Sequence, residues 1–439
     1  MYKKILIASL ALIAGLASCK KDDPTPSPNP PSTLTIDGVA SSLEFYQLDT
    51  AHLSVAGVAK DAAAKAVWVV NGAKAAEGAT FDFTTAHPGK YEITLTVDGK
   101  SAKHTYTVAP RFSEGAFLLN EGNFGNETGS LTYIHPSKKL VIDQAYYRVN
   151  GTKLGNVCQD LAFGNDQIYI LSQLGPKNGG EGLLTIARSN SLEKVKVYND
   201  EALAQSTPTH IAVLRDHTYI RTERDGILRG SSEGGFTPIT GTKKALKQRM
   251  AQIGERLFAL TSDSKVLMIQ GTQVVRELDL SPAKPSGIAV SHDGKLWVST
   301  TSPNAILKVD PTPDNFVALD THILDKSISA TGPESWQHTT SSAFFAHGDK
   351  LYFTGQSSVI YCHDFATSKT SQVIDVKTID GVGTSANMYY NSLGVDPSTG
   401  ELYYAAFEGY STYNKKNVTM VLKADGTKLL LKEKVNSFP

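Results

Sequence analysis

Pro285-Ser286-Gly287-Ile288-Ala289-Val290-Ser291-His292-Asp293-Gly294-Lys295-Leu296-Trp297-Val298-Ser299-Thr300, continued by Ala305-Ile306-Leu307-Lys308-Val309-Asp310, is the stretch on which the fold turns. Two short apolar runs flank Asp293-Gly294, a dipeptide suited to the positive-φ positions of a tight hairpin, and a third run follows the break Thr301-Ser302-Pro303-Asn304. The stretch predicts three antiparallel strands.

The same unit recurs at residues 158–173, 208–221, 250–261, 343–355 and 393–407, with residues 117–123 as a partial first copy, giving seven units. A spacing of roughly forty to fifty residues per unit is that of propeller blades. The expected fold is therefore all-β: a seven-bladed β-propeller over residues 116–439. Its first unit shows no convincing innermost strand before Phe117, so either that blade has three strands or the register is shifted by one.

Residues 34–109 differ in texture. Period-two runs at Val67-Trp68-Val69-Val70, Phe81-Asp82-Phe83 and residues 91–97, with Asn71-Gly72 and Asp98-Gly99 as turns, predict a small immunoglobulin-like β-sandwich with Trp68 in its core. Trp68 and the segment from Thr80-Phe81-Asp82-Phe83 to Pro88-Gly89-Lys90-Tyr91 resemble the polycystic-kidney-disease (PKD) class of such modules. A spacer role is expected for it, since a fold alone confers no site.

The front of the chain reads as an export signal. Lys3-Lys4, an apolar run over residues 5–15 and Leu16-Ala17-Ser18-Cys19 form a signal peptide over residues 1–18, too short to span a bilayer stably. The segment resembles a bacterial lipobox, which implies cleavage before Cys19 and lipidation of that residue. Lys20-Lys21-Asp22-Asp23 resembles the surface-export signal of Bacteroidota-type lipoproteins. The Pro-rich stretch within residues 19–33 is expected to be an extended tether. The expected location is the outer membrane, lipid-anchored and facing the exterior.

Lys plus Arg and Asp plus Glu are both 43 in the 439 residues, so no global field argues for nucleic acid or an anionic surface as partner. Any ligand site must be local. Cys158 and Cys362 fall in distant units and are expected to be free buried thiols. No Cys/His spacing suits zinc, so neither metal nor cofactor is expected.

Strand direction sorts the loops. Asp-Gly turns, with His292, Asp293, Asp216, His217, Asp349 and Asp396, lie on one face, where turn chemistry explains them. Second-strand ends and first-strand starts converge on the other face, at the mouth of the central channel. There the sequence offers Glu121, Asn123, Phe124, Gln173, Arg221, Glu223, Arg224, Phe407, Glu408 and Tyr410. From strand starts it adds Gln159, His210, Trp336, His338, Asn387, Tyr389 and Tyr390. Aromatic, Arg, amide and His side chains together suit a sizeable polar ligand with ring surfaces. No Gly-x-Ser-x-Gly, His-Glu-x-x-His or Walker loop is present, and residues 175–180 lack the Gly-Lys-Ser/Thr of a phosphate cradle, so the protein is not expected to be an enzyme.

Residues 116–439 resemble the YncE-like propellers, and Phe117-Leu118-Leu119-Asn120-Glu121-Gly122-Asn123-Phe124-Gly125 followed by Gly129-Ser130-Leu131-Thr132-Tyr133 resembles the opening of a surface-lipoprotein branch. That branch includes the cobalamin-binding BtuG type. The resemblance implies capture of a corrinoid for a TonB-dependent outer-membrane transporter. A glycan- or protein-binding propeller is the alternative, with Trp336, Tyr389, Tyr390 and Tyr410 as a platform. A propeller hydrolase or lyase using carboxylates such as Glu121, Glu223 or Glu408 is the second alternative.

Overall fold

The computed structural model of the protein describes residues 33–39, 44–215, 217–231, 235–325, 343–355, 357–407 and 417–435; of residues 387–391 and 434–435 it describes the backbone. The signal peptide, Cys19, the tether, Asp216, Trp336, His338, Glu408 and Tyr410 lie outside the described residues.

The chain divides into two compact units, one of Met1–Ser41, Ala51–Phe83 and Tyr91–Thr105, the other of Ser42–Thr50, Thr84–Lys90 and Tyr106–Pro439. In the first, the strand Val67–Val70 pairs antiparallel with Ala73–Glu77 and with Gly89–Val97. Alternation sends Trp68 inward, where it is fully buried, its Nε1 donates to the Gly78 carbonyl at 2.9 Å, and its ring lies 5.6 Å from Phe81.

Among the described residues the second unit holds seven antiparallel sheets in chain order. Six have four strands, each strand beside its sequence neighbour. The fifth is the stretch quoted first: Pro285–Val290, Leu296–Thr301, Asn304–Val309 and Ala318–Ile323, with Gly294 at φ +79° in the first turn. The first sheet has three strands, Ala116–Asn120, Ser130–His135 and Leu140–Ile142. Among the described residues the first sheet thus has three strands.

Middle strands are buried on both faces, so their sequences are near-continuous apolar runs rather than alternating ones. Each pair of successive sheets shares an apolar cluster. Between the fifth and sixth it gathers Trp297, Ile306, Phe344, Leu351 and Phe353, with Phe365 edge-on to Trp297 at 4.7 Å. The seventh and first sheets share one too, through Val421, Leu431 and Ile134, and it is the smallest of the set.

Cys158 and Cys362 are both free and buried. Among the described residues no helix is long and apolar enough to cross a membrane, and no group of three or more His, Cys, Asp or Glu is placed to hold a metal.

Candidate functional site: an axial cavity beside an incomplete sheet

The first strands of the six four-stranded sheets stand side by side in chain order. Several begin with a β-bulge, a local two-against-one register slip that turns a side chain out of the ladder. Such slips fall at Asn156/Cys158 and Cys158/Asp160, at Pro208/His210, and at Pro285/Gly287. Gln159 is left out of the pairing in the second sheet and Thr209 in the third, where His210 stays paired with Arg221.

The first sheet contributes no such innermost strand. Ala116–Asn120 pairs with Ser130–His135 on one edge, and among the described residues no strand pairs with the other. Beside that edge lies a cavity of about 950 Å³. Phe117, Leu118 and Leu119 line it along the strand, with Leu161 and Phe163 of the second sheet on one side and Leu393, Val395 and Ala405 of the seventh on the other. Gln159, His210 and Arg249 line its axial end, whereas Asp166, Asp396 and Pro397 line the end at the hairpin turns. Asp396 thus borders the cavity as well as capping its own turn, where its carboxylate accepts from Ser398 and Thr399 N–H.

Charges crowd the axial end. Glu121 is 8% exposed and accepts from Gln159 Nε2 at 3.0 Å. Burial pushes its carboxyl up to about 8, against the opposing pull of Lys247 and the Gln159 hydrogen bond, so the group is largely protonated at neutral pH. Asp160 is 2% exposed, pairs with Arg249 Nε at 3.0 Å and accepts from Ile211 N–H at 3.1 Å; burial pushes it up while Arg249 and the backbone donors hold it down. Arg221 is buried, donating from Nη1 to Glu223 at 2.9 Å and from Nε and Nη2 to the Ala245 carbonyl. Lys247 lies 3.3 Å from the same Glu223. His210 is buried with Nδ1 3.2 Å from Thr209 Oγ1, and its surroundings hold it well below the usual imidazole range, first through burial and then through Arg249, Arg221 and Lys247. With Glu121 and His210 neutral, Arg221, Lys247 and Arg249 outweigh Asp160 and Glu223. That balance favours an anionic or acceptor-rich ligand group.

The structure therefore brings together Glu121, His210 and Arg221, with Gln159 and Glu223. It does not gather Phe124, which is 65% exposed on the loop after Ala116–Asn120, or Asn123, whose carbonyl caps that loop's turn by accepting from Asn126 and Glu127 N–H. Arg224 is exposed, and Phe407 is buried at the end of its strand. Gln173 is partly exposed within Gln167–Gly175 and does not line the cavity. Asn387, Tyr389 and Tyr390 lie in the innermost strand Asn387–Val395 of the seventh sheet. Arg249, Lys247 and Asp160 are the members that sequence reasoning missed. The signal was available, since Lys247-Gln248-Arg249 directly precedes the innermost strand Ala251–Ile253, the position that singled out Gln159 and His210.

Residues 114–438 match the profile of a family described as "Domain of unknown function (DUF5074)". No curated protein matches the chain in sequence. Among solved structures, a quinonprotein alcohol dehydrogenase-like protein from Bacteroides thetaiotaomicron is similar with a TM-score of 0.56 and 15% identity, over 92% of this chain and 94% of that one. A virginiamycin B lyase from Staphylococcus aureus is similar with a TM-score of 0.43 and 12% identity, over 63% of this chain and 84% of that one, too remote to inform the site. The first likeness speaks to the fold alone, which is all-β and propeller-like.

Proposed function

The chain belongs to the DUF5074 family, and we propose that it acts as a surface lipoprotein that captures a ligand in the axial cavity. The carrying observation is that cavity, lined by apolar side chains such as Phe117, Leu161 and Leu393 and in about equal measure by polar ones, Gln159, His210 and Arg249 among them. Its volume lies in the range of small-molecule sites, and its polar groups can orient a ligand against the apolar ones. In this reading the seven sheets are the blades of one closed seven-bladed propeller, supported by the cluster that the last and first sheets share. Residues 34–109 form a PKD-type immunoglobulin-like spacer. The lipobox and tether read from the sequence support anchoring through Cys19 at the outer face of the outer membrane.

A corrinoid is the ligand suggested by the YncE-like, BtuG-type resemblance, with a TonB-dependent transporter as recipient. A macrocycle bearing amide and phosphate acceptors suits a cavity that joins apolar side chains to donors such as Arg249 and Gln159. Capture without turnover is favoured because the cationic groups at the axial end are held in ion pairs to Asp160 and Glu223. Calorimetry of the unlipidated chain against cobalamin and cobinamide tests the reading. Micromolar binding weakened at least tenfold by Arg249→Ala supports it, whereas no heat with either compound removes the corrinoid. A glycan- or protein-binding propeller then becomes the next candidate.

A further inference from the structure

Among the described residues no strand pairs with the innermost edge of the first sheet. In the other six sheets the corresponding edge is covered: Gln167–Gly175, for instance, pairs along its length with Asn156–Gly164. Ala116–Asn120 has half of its backbone N–H and C=O groups turned towards an edge that no described strand pairs. Proteins usually blunt such an edge with Lys, Pro or a bulge. Ala116-Phe117-Leu118-Leu119-Asn120 has no charge, no proline and an unbroken register with Ser130–His135.

Five residues of strand are about 17 Å long, and the space beside the edge is lined by Leu161 and Phe163 of the second sheet and Leu393, Val395 and Ala405 of the seventh, with polar residues such as Ser392 and Asp396 among them. Phe163 is 52% exposed there and stacks on Phe117 at 6.2 Å. Thr419 also lines the cavity, and its Oγ1 is buried without a partner, as is Asn120 Oδ1 at the end of the strand. A compact ligand could meet one or two of these groups. Only a second backbone repeats donors and acceptors at the spacing of the edge.

We infer that the Ala116–Asn120 edge accepts an extended segment of a partner polypeptide, which adds antiparallel as an innermost strand of the first sheet. The segment is about five residues long, uncharged, and apolar on both faces. The C-terminal half of the innermost strand Pro208–Leu214, Ile211-Ala212-Val213-Leu214, has these properties and is buried at every position. Main-chain pairing gives affinity, and the apolar residues lining the space give selectivity. The inference rests on the cavity being a binding site, as proposed above, but it leaves the axial end at Gln159, His210 and Arg249 to a small ligand. Corrinoid calorimetry and strand addition can therefore fail independently.

The test uses the full chain and a synthetic peptide, Thr-His-Ile-Ala-Val-Leu flanked by two lysines at each end. Its control is the same peptide N-methylated at alternate residues. Hydrogen exchange of the 116–120 amides is expected to be fast in the free protein and to slow at least tenfold with the peptide. Peptide affinity should fall at least tenfold on N-methylation and several-fold in Phe163→Ser, a half-exposed wall position whose change leaves the fold intact. Slow exchange of 116–120 in the free chain would show the edge already paired and overturn the inference. Equal binding of the methylated peptide, or no protection at millimolar peptide, would also overturn it.

Discussion

Gln159 Nε2 donates to Glu121 Oε1 across 3.0 Å, tying the bulged start of the second sheet's innermost strand to the loop that leaves the first sheet's incomplete edge. The contact fixes a buried carboxyl group behind Gln159, which itself lines the cavity. Burial there raises Glu121 to about 8 despite the nearby Lys247.

A pH dependence follows. Between the ordinary carboxylate range and about 8, the folded protein holds a proton on Glu121 that the unfolded chain has lost, so stability falls as pH rises through that window and levels off above it. The slope approaches about 1.4 kcal/mol per pH unit for one fully linked proton. His210 acts in the opposite sense at lower pH: its depressed value means that stability is lost as pH drops below the usual imidazole range. Urea denaturation of the wild type should therefore show greatest stability slightly below neutrality. In Glu121→Gln the decline between pH 6.5 and 8 should disappear. An unchanged slope in that variant would locate the linked proton elsewhere.

The Asp160–Arg249 pair is asymmetric, because Asp160 is buried whereas the Arg249 side chain is 43% exposed. Removing the guanidinium strands a carboxylate that retains backbone donors such as Ile211 N–H. Arg249→Ala should destabilise by about 2–4 kcal/mol, near the low end for breaking a buried pair. The double variant Asp160→Asn/Arg249→Ala should recover at least half of that loss, since a neutral amide needs no countercharge. Denaturant midpoints of the four proteins complete the cycle, and strict additivity would show the two side chains to be independent.

The repeat made the sheets readable because each hairpin carries its own local signals. Asp293-Gly294 requires positive φ, and Leu296-Trp297-Val298 is apolar throughout since both of its faces are buried. Glu121, His210 and Arg221 were legible for the same reason, as they sit at strand ends that alternation sends to one face. The bulges at Cys158 and His210 were not legible, because a register slip is a property of two paired strands and leaves no mark in either alone. Nor was the cavity itself visible. The sequence shows no convincing strand before Phe117, but whether that leaves a gap depends on packing of the seventh sheet, some 270 residues downstream.

Trp297 and Asp349 both join the fifth sheet to the sixth, by different physics. Trp297 is fully buried against Phe365 and Phe353, and Trp297→Ala should cost about 3–5 kcal/mol through lost burial and the cavity left behind. Asp349 bridges Lys295 at 2.9 Å and Lys308 at 3.5 Å, and the three side chains are between 23% and 37% exposed. Solvent screening should hold Asp349→Asn below about 1 kcal/mol. Raising salt should shrink the Asp349 effect and leave that of Trp297 unchanged, as thermal unfolding at low and high ionic strength would show.

The contact between the seventh and first sheets should be the first to open. Its buried apolar cluster is Ile134, Val421 and Leu431, against more than a dozen residues between the sixth and seventh sheets, because the first sheet has, among the described residues, no innermost strand to make the contacts that other seams have near the axis. Local opening is governed by such contacts. Amides of Asn417–Leu422 on this seam should exchange faster than those of the equivalent strand Asn304–Val309 in the fifth sheet. Val421→Ala removes two methyl groups from a fully buried site, at about 1–2 kcal/mol, and should speed exchange throughout the first and seventh sheets while leaving the fourth and fifth unaffected. A ligand seated in the cavity bridges the same seam. At a concentration one hundred times its dissociation constant it should add about 2.7 kcal/mol of stability and restore protection at residues 417–422. Protection that rises uniformly around the ring would place the ligand away from the seam.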